Sequence, residues 1–220
     1  MESLYESEAL ASPARPVITL LAAIQAVEPL VAAAAMVVLG PVMIAVGLVT
    51  AVLSRRSPLI RHTRVGFRGA PLRMLKFRTM WMAGAAPAGW LGVEEVSDYV
   101  PEAKTLPDPR VTSKFAAWCR RHSLDELPQL YHVVRGEMSF IGPRPITRAE
   151  FDQHYGPEAR EVLLLRPGLV GLWQVMGHNQ LSYPQRRRLD LLLARRACAA
   201  LYVHILVRGI AKVWSGNGAY

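Results

Sequence analysis

Two adjacent carboxylates, Asp125 and Glu126, follow Arg120 and Arg121 in the stretch R-R-H-S-L-D-E-L-P-Q-L, residues 120–130. Successive residues of a helix point about 100 degrees apart, so this pair cannot close on one small atom as a shared-proton dyad does. Each carboxylate is therefore suited to its own task. A helix N-terminus beside an arginine lowers a carboxylate pKa, so Asp125 is expected to stay ionised and to act as a nucleophile or magnesium ligand. An aspartate of that kind can attack phosphorus and form an acyl phosphate. Plain helix capping is the competing use of the same residues.

Chemistry on a phosphate needs cations around it. Lys76 and Arg78 alternate in K-F-R-T-M, 76–80, and alternate residues of a strand share one face, which suits gripping a phosphate. Arg144 stands between two prolines in G-P-R-P, 142–145, so its guanidinium is held ready for an anion at little entropic cost. A solvated basic face and a structural turn are the respective alternatives. The chain holds no G-x-x-x-x-G-K-S/T loop, no G-x-G-x-x-G after a strand and no H-E-x-x-H, which removes the common nucleotide and zinc motifs.

The elements that position these residues begin with an apolar run. From Val17 to Leu53 the only charged residue is Glu28, and Gly40-Pro41 interrupts the run. About 20 apolar residues in a helix cross a bilayer, so the run is long for one span and short for two. A tilted span, a tight hairpin and a re-entrant helix that breaks at Pro41 and leaves by its face of entry all remain open. Immediately afterwards come Arg55, Arg56, Arg61, Arg64, Arg68, Arg73, Lys76 and Arg78 without an acid among them. Such a cluster favours the cytoplasmic side, where anionic headgroups attract it by about 1 kcal/mol per charge.

Residues 1–16 read as a disordered lead-in without the basic start of a secretory signal. Leu59 to Phe77 reads as a β-hairpin around Gly66-Phe67-Arg68-Gly69. Residues 81–107 read as a surface insertion carrying Trp81, Trp90 and Tyr99. A helix is expected over Val111–Arg121. The next ends at Arg135-Gly136, and its start is either a Ser123/Glu126 capping box or an Asp125 cap. G-L-W-Q-V, 171–175, reads as a short strand after the turn R-P-G-L, Gly177-His178-Asn179 as a turn, and Tyr183–Arg196 as a basic helix. The last helix, near Ala197–Trp214, suits the membrane surface or a core.

The chain has 220 residues and a formal charge of +9, enough for one catalytic domain with an appendage and an anionic partner. Cys119 and Cys198 are its only cysteines and are expected to be free thiols in a reducing setting. Aromatic residues are not interleaved with the basic ones as a nucleic-acid groove needs, so no nucleic acid is expected. No heptad or symmetric patch argues for a homodimer, although the basic and apolar C-terminal third leaves one open.

Six motifs stand in order: K-F-R-T-M (76–80), D-P-R-V-T (108–112), S-L-D-E-L-P-Q-L (123–130), R-G-E-M-S-F-I-G-P-R-P (135–145), R-P-G-L-V-G-L-W-Q-V (166–175) and the terminal G-N-G-A-Y. Together they resemble the bacterial sugar transferases, the monotopic polyprenyl-phosphate phosphoglycosyl transferases, from about residue 30 to the end. The resemblance implies transfer of a sugar phosphate from a UDP-sugar to undecaprenyl phosphate with release of UMP, at the bacterial inner membrane. It implies that Asp125 is the nucleophile of a covalent phosphosugar intermediate and meets Mg2+, and that Glu126 assists the incoming polyprenyl phosphate. Lys76, Arg120 and Arg144 match phosphate-binding positions, and Asp190 matches the family's L-D without a defined role. The expected architecture is α/β and rich in helix: a re-entrant helix-break-helix over 17–56, then a cytoplasmic catalytic domain over 57–220 with a small hairpin and amphipathic surface helices. The short chain is similar to the exopolysaccharide-assembly type, with galactose or glucose as the sugar. Gly40, His178, Leu193 and Tyr202 depart from the family's usual serine, arginine, tyrosine and aspartate. A membrane-tethered basic module without enzymatic activity is the competing reading, and it predicts indifference to substitution at Asp125 and Glu126.

Overall fold

The structure, a computed structural model, describes residues 15–81, 89, 92–96, 110–177 and 181–216. Residues 1–14 of the lead-in, most of the insertion with Trp90 and Tyr99, His178 and the last four residues fall outside the described residues, while the last two lead-in residues, Arg15 and Pro16, are already helical.

Helix α1 (Arg15–Ser54) takes up the apolar run as one element of 40 residues, about 60 Å long at 1.5 Å per residue. It is long and apolar enough to cross a membrane by length and composition. The sequence suggested an interruption at Pro41, yet α1 stays helical through both Pro29 and Pro41. Each proline removes one backbone donor, which weakens a helix without ending it when the flanking turns still bond.

One side of α1 belongs to the core of the rest of the chain. Ala32 packs with Leu72, Met74, Leu130, Val133 and Met138, and Val46 packs with Phe77 and Cys119. The other side, including Val37, Val38, Ile44 and Leu48, is exposed.

The hairpin forms as the sequence indicates. Strands β1 (Leu59–Val65) and β2 (Pro71–Phe77) pair antiparallel with Leu59 opposite Phe77 and Val65 opposite Pro71, joined by a 3-10 turn at Phe67–Gly69. A short β3 (Glu94–Glu95) adds parallel to β1, so β2 lies at the edge of the sheet. Helix α2 (Lys114–Arg121) is capped by Ser113, whose side chain accepts from the Ala116 amide, three residues later than the expected start. A 3-10 segment (Leu124–Gln129) leads into α3 (Leu130–Val134), which stops at Arg135 and the left-handed Gly136.

Strand β4 (Ser139–Ile141) pairs parallel with β5 (Gly168–Val170). The expected strand at G-L-W-Q-V is instead helix α4 (Leu172–Met176). The reason lies in Gln174, whose Oε1 accepts the Gly171 amide at 2.6 Å and closes the first turn. Helices α5 (Tyr183–Arg196) and α6 (Ala199–Ser215) complete the chain, in close agreement with the sequence reading. Leu193, Tyr202 and Ile205 from these helices pack on Ile141 and Leu172.

Candidate active site

Ser123 carries a positive φ of 53° and makes no side-chain cap, so neither expected cap forms. The left-handed residue turns the chain sharply after α2, and the two carboxylates enter the first turn of a 3-10 helix. Asp125 is buried beneath this turn, with 6% of its surface exposed. Glu126 reaches across to the hairpin, where the Lys76 ammonium donates to its Oε1 at 2.7 Å. A capping box is thus replaced by a long-range ion pair.

The two carboxylates differ electrostatically, and in the opposite sense to the sequence expectation for Asp125. Burial pushes Asp125 up, Glu126 adds to that, and Lys76 and Arg120 pull it down without prevailing. For Glu126 burial also opposes ionisation, but Lys76, Arg144 and Arg120 outweigh it and hold the carboxyl down at about 2. The helix-terminus argument fails for Asp125 because desolvation of a buried carboxylate exceeds the partial charge of so short a helix. Behind Asp125 lies Cys119 on α2, fully buried, whose thiol is raised to about 11 by burial and by Asp125. Both cysteines are free.

Arg120 contributes its charge from α2, and its Nε is buried with no hydrogen-bond partner among the described residues. Arg144 stands on the loop after β4, its guanidinium 5.9 Å from the Trp173 ring. That loop is fixed by a contact only glycine allows. A Cβ on Gly142 would lie 2.2 Å from the Arg166 carbonyl oxygen, and one on Gly168 would lie 2.0 Å from the Gly142 nitrogen. The Gly168 amide donates to the Pro143 carbonyl at 2.9 Å across this crossing.

Arg78 is not brought to the carboxylates. Strand β2 ends at Phe77, and beyond it the Arg78 Nε donates to the Ser57 carbonyl at 2.9 Å and its Nη2 to Glu94 at 2.7 Å. The one-face argument does not carry past the strand end, and Arg78 fastens the hairpin to β3. Asp190 is buried on α5 and accepts from the Tyr155 hydroxyl at 2.6 Å. Burial raises its carboxyl to about 7 against the opposing pull of Tyr155, Arg144, Trp173 and Arg186. It therefore backs the Arg144 and Trp173 side of the site without reaching the carboxylate pair.

Two positioning residues escape sequence reasoning. Because β2 is an edge strand, its outward amides need partners, and the Leu75 amide donates to Nε2 of buried His132 at 3.1 Å. The other ring nitrogen meets Glu137 at 2.7 Å, which leaves the hydrogen on Nδ1 and fixes the position of the strand residue next to Lys76. The spacing of His132 and Glu137 was the available signal. Arg186 lies 4.7 Å from the Trp173 ring, on the side of the site where Arg144 also meets it.

The expected metal is tested by its donors. No group of three His, Cys, Asp or Glu side chains able to hold a metal occurs among the described residues. Magnesium, however, commonly takes one or two carboxylates and completes its shell with substrate phosphates and water. Asp125 offers a single carboxylate for that mode, and the described residues do not form a closed protein cage.

The structure thus joins a helix long and apolar enough to cross a membrane to a cluster in which one buried carboxylate and one ion-paired carboxylate lie among lysine and arginine charges. The sequence model described as bacterial sugar transferase matches residues 21–216, and the chain belongs to that family. It is 36% identical to a UDP-galactose-lipid carrier transferase of Erwinia amylovora over 74% of this chain and 35% of that protein. It is 33% identical to the exopolysaccharide production protein ExoY of Sinorhizobium fredii over 88% of this chain and 86% of that protein. It is 34% identical to the undecaprenyl-phosphate galactose phosphotransferase of Salmonella typhimurium over 72% of this chain and 34% of that protein. The chain thus spans about a third of the length of the first and third of these relatives and most of the ExoY protein.

Proposed function

We propose that the protein transfers a hexose 1-phosphate, galactose or glucose, from a UDP-sugar to undecaprenyl phosphate at the cytoplasmic face of the bacterial inner membrane. The observation that carries this reading is the cluster itself: Asp125 buried beside a Lys76–Glu126 pair at 2.7 Å, with Arg120 and Arg144 both acting on Glu126. The printed names of relatives that act on UDP-galactose or undecaprenyl phosphate support it, as does the exposed apolar side of α1.

In the first step an Asp125 oxygen attacks the sugar-bearing phosphorus, the bond from that phosphorus to the bridging oxygen breaks, and UMP leaves with the bond's electrons. In the second, an oxygen of the acceptor phosphate attacks the same phosphorus and the Asp125 carboxylate departs. Burial strips water from Asp125, which makes its oxygen a stronger nucleophile once ionised. Lys76, Arg120 and Arg144 stabilise the charge on the transferred phosphoryl oxygens, and the free Arg120 Nε supplies a donor for them. Glu126, with its low pKa, is a poor proton acceptor, so its assistance consists of holding Lys76 in place. When bound by Asp125 and the substrate phosphates, Mg2+ would neutralise diphosphate charge.

Re-entry of α1 on the cytoplasmic face is part of the same reading, with Pro41 as the weak point of its backbone bonding. The test is UMP release from a panel of UDP-sugars with a polyprenyl phosphate in detergent. Mass spectrometry of quenched samples should find the phosphosugar on Asp125. Near-normal turnover by Asp125→Asn would overturn the assignment of the nucleophile.

A further inference from the structure

An apolar cleft of about 210 Å³ opens between the 3-10 segment that carries the carboxylates, β5, α4 and α6. Leu124, Leu127, Leu169, Val170, Val175 and Val213 line it, and no Phe, Tyr or Trp does. His122, Ser123, Glu126, Gln174 and Lys212 also line it, but aliphatic side chains form most of the wall, which favours an apolar chain over a nucleobase as its occupant. Glu126 belongs to the same lining, so the cleft reaches one member of the carboxylate pair.

One cation stands inside these walls. The Lys212 ammonium, on α6, donates to the Gln174 backbone carbonyl at 2.6 Å and has no acidic partner among the described residues. An ammonium carries three donors, so most of its capacity is unspent in a largely apolar setting, where charge is costly unless matched. The occupant that complements both features is amphiphilic, with an apolar chain and an anionic head.

The cleft also lies beside an exposed apolar surface. Val213 lines it, and the same helix exposes Val203, Val207, Ile210 and Trp214, which fall at helical spacing along one side. A chain too long for the cleft would find an apolar surface to continue over on this side.

We propose that this cleft receives the acceptor: the phosphate-proximal isoprene units of a prenyl phosphate lie between the 3-10 segment and α6, and Lys212 holds the phosphate on the side of the Glu126 carboxylate. This inference rests on the proposed transfer reaction for its catalytic meaning, but the site itself is defined by the cleft and its cation. Because only the first isoprenes are enclosed, acceptors longer than the enclosed part should bind with similar affinity in detergent.

The test uses the full chain in detergent and farnesyl phosphate bearing a diazirine. Photolabel is expected on peptides containing Leu127, Val175 or Val213, competed by undecaprenyl phosphate and not by farnesol at the same concentration. Lys212→Met should lower that labelling at least tenfold and raise the KM for the acceptor at least tenfold while the donor KM moves less than twofold. Lys212→Arg should restore most of both. Val175→Phe, which fills the cleft without touching the cation, should raise the acceptor KM similarly. Label confined to α1 or to the outer side of α6, labelling unchanged in Lys212→Met, or donor and acceptor KM rising together would overturn the proposal. If no UDP-sugar yields UMP yet cleft labelling and its dependence on Lys212 persist, the reaction assignment fails and the prenyl phosphate site stands.

Discussion

The Lys76 ammonium is bonded to Glu126 and not to Asp125, at 2.7 Å from Oε1. Two carboxylates adjacent in sequence are therefore shifted in opposite directions from their ordinary ranges. Glu126 is held low and committed to a partner, whereas burial raises Asp125 above the usual carboxylate range. Division of labour between nucleophile and support follows from that asymmetry.

Asp125→Asn should reduce UMP release by about 10³-fold or more, the scale of losing a covalent nucleophile, with the circular dichroism spectrum unchanged. Glu126→Gln should cost less, because an amide still accepts from Lys76. Equal losses in the two variants would contradict the division.

Lys76→Met removes the partner of a half-buried carboxylate. Breaking a well-buried pair costs about 3–5 kcal/mol, and with side chains 16% and 24% exposed the loss here should fall below that range. Thermal melting in detergent should drop for Lys76→Met and recover in the Lys76→Met, Glu126→Gln double variant. A double variant no better than the single would mean that Glu126 is not left uncompensated.

Asp190 gives a pH signature. Its folded carboxyl, near 7, lies above the ordinary 3.8, so the folded state binds more protons between those values. The stabilising contribution of this group is complete below about pH 4 and is lost as pH rises through 7. Melting temperatures measured from pH 5 to 8 should fall with pH in the native chain and flatten in Asp190→Asn. A variant that keeps the full native slope would exclude Asp190 as its source.

Gly168→Ala places a methyl group against the Gly142 backbone at 2.0 Å, a contact with backbone atoms that cannot swing aside. It should abolish folding or leave the protein insoluble, whereas Gly156→Ala, where nothing lies within 4 Å, should cost only the strain of a positive φ. Expression yield and melting temperature distinguish the two.

Much of this site was legible because its signals are local. The hairpin turn, the Arg135-Gly136 stop and the Tyr183–Arg196 helix are written in periodicity and in residues with special backbone preferences, and the structure follows them. What escaped depended on partners far along the chain. Glu126 forgoes its local cap for Lys76, 50 residues away, and Arg78 is drawn off to Glu94 and Ser57. G-L-W-Q-V coils because of one glutamine bond that β propensity cannot foresee. The buried state of Asp125, and so the direction of its pKa, is a property of the packing around Cys119 and not of its neighbours in sequence.

Glu28 sits within the first third of the apolar run, yet it is buried and accepts from the Ser139 hydroxyl at 2.7 Å, the Phe140 amide at 3.3 Å and the Tyr202 hydroxyl. Glu28→Ala would leave those donors without an acceptor, at about 1–3 kcal/mol for each buried group. The same clasp means that α1 cannot slide or rotate on its own. Anchored at one carboxylate to β4 and to α6, the helix in the proposed membrane-bound state would work as a depth gauge: however far it sank into lipid, the carboxylates at 125 and 126 would ride at one fixed height above it.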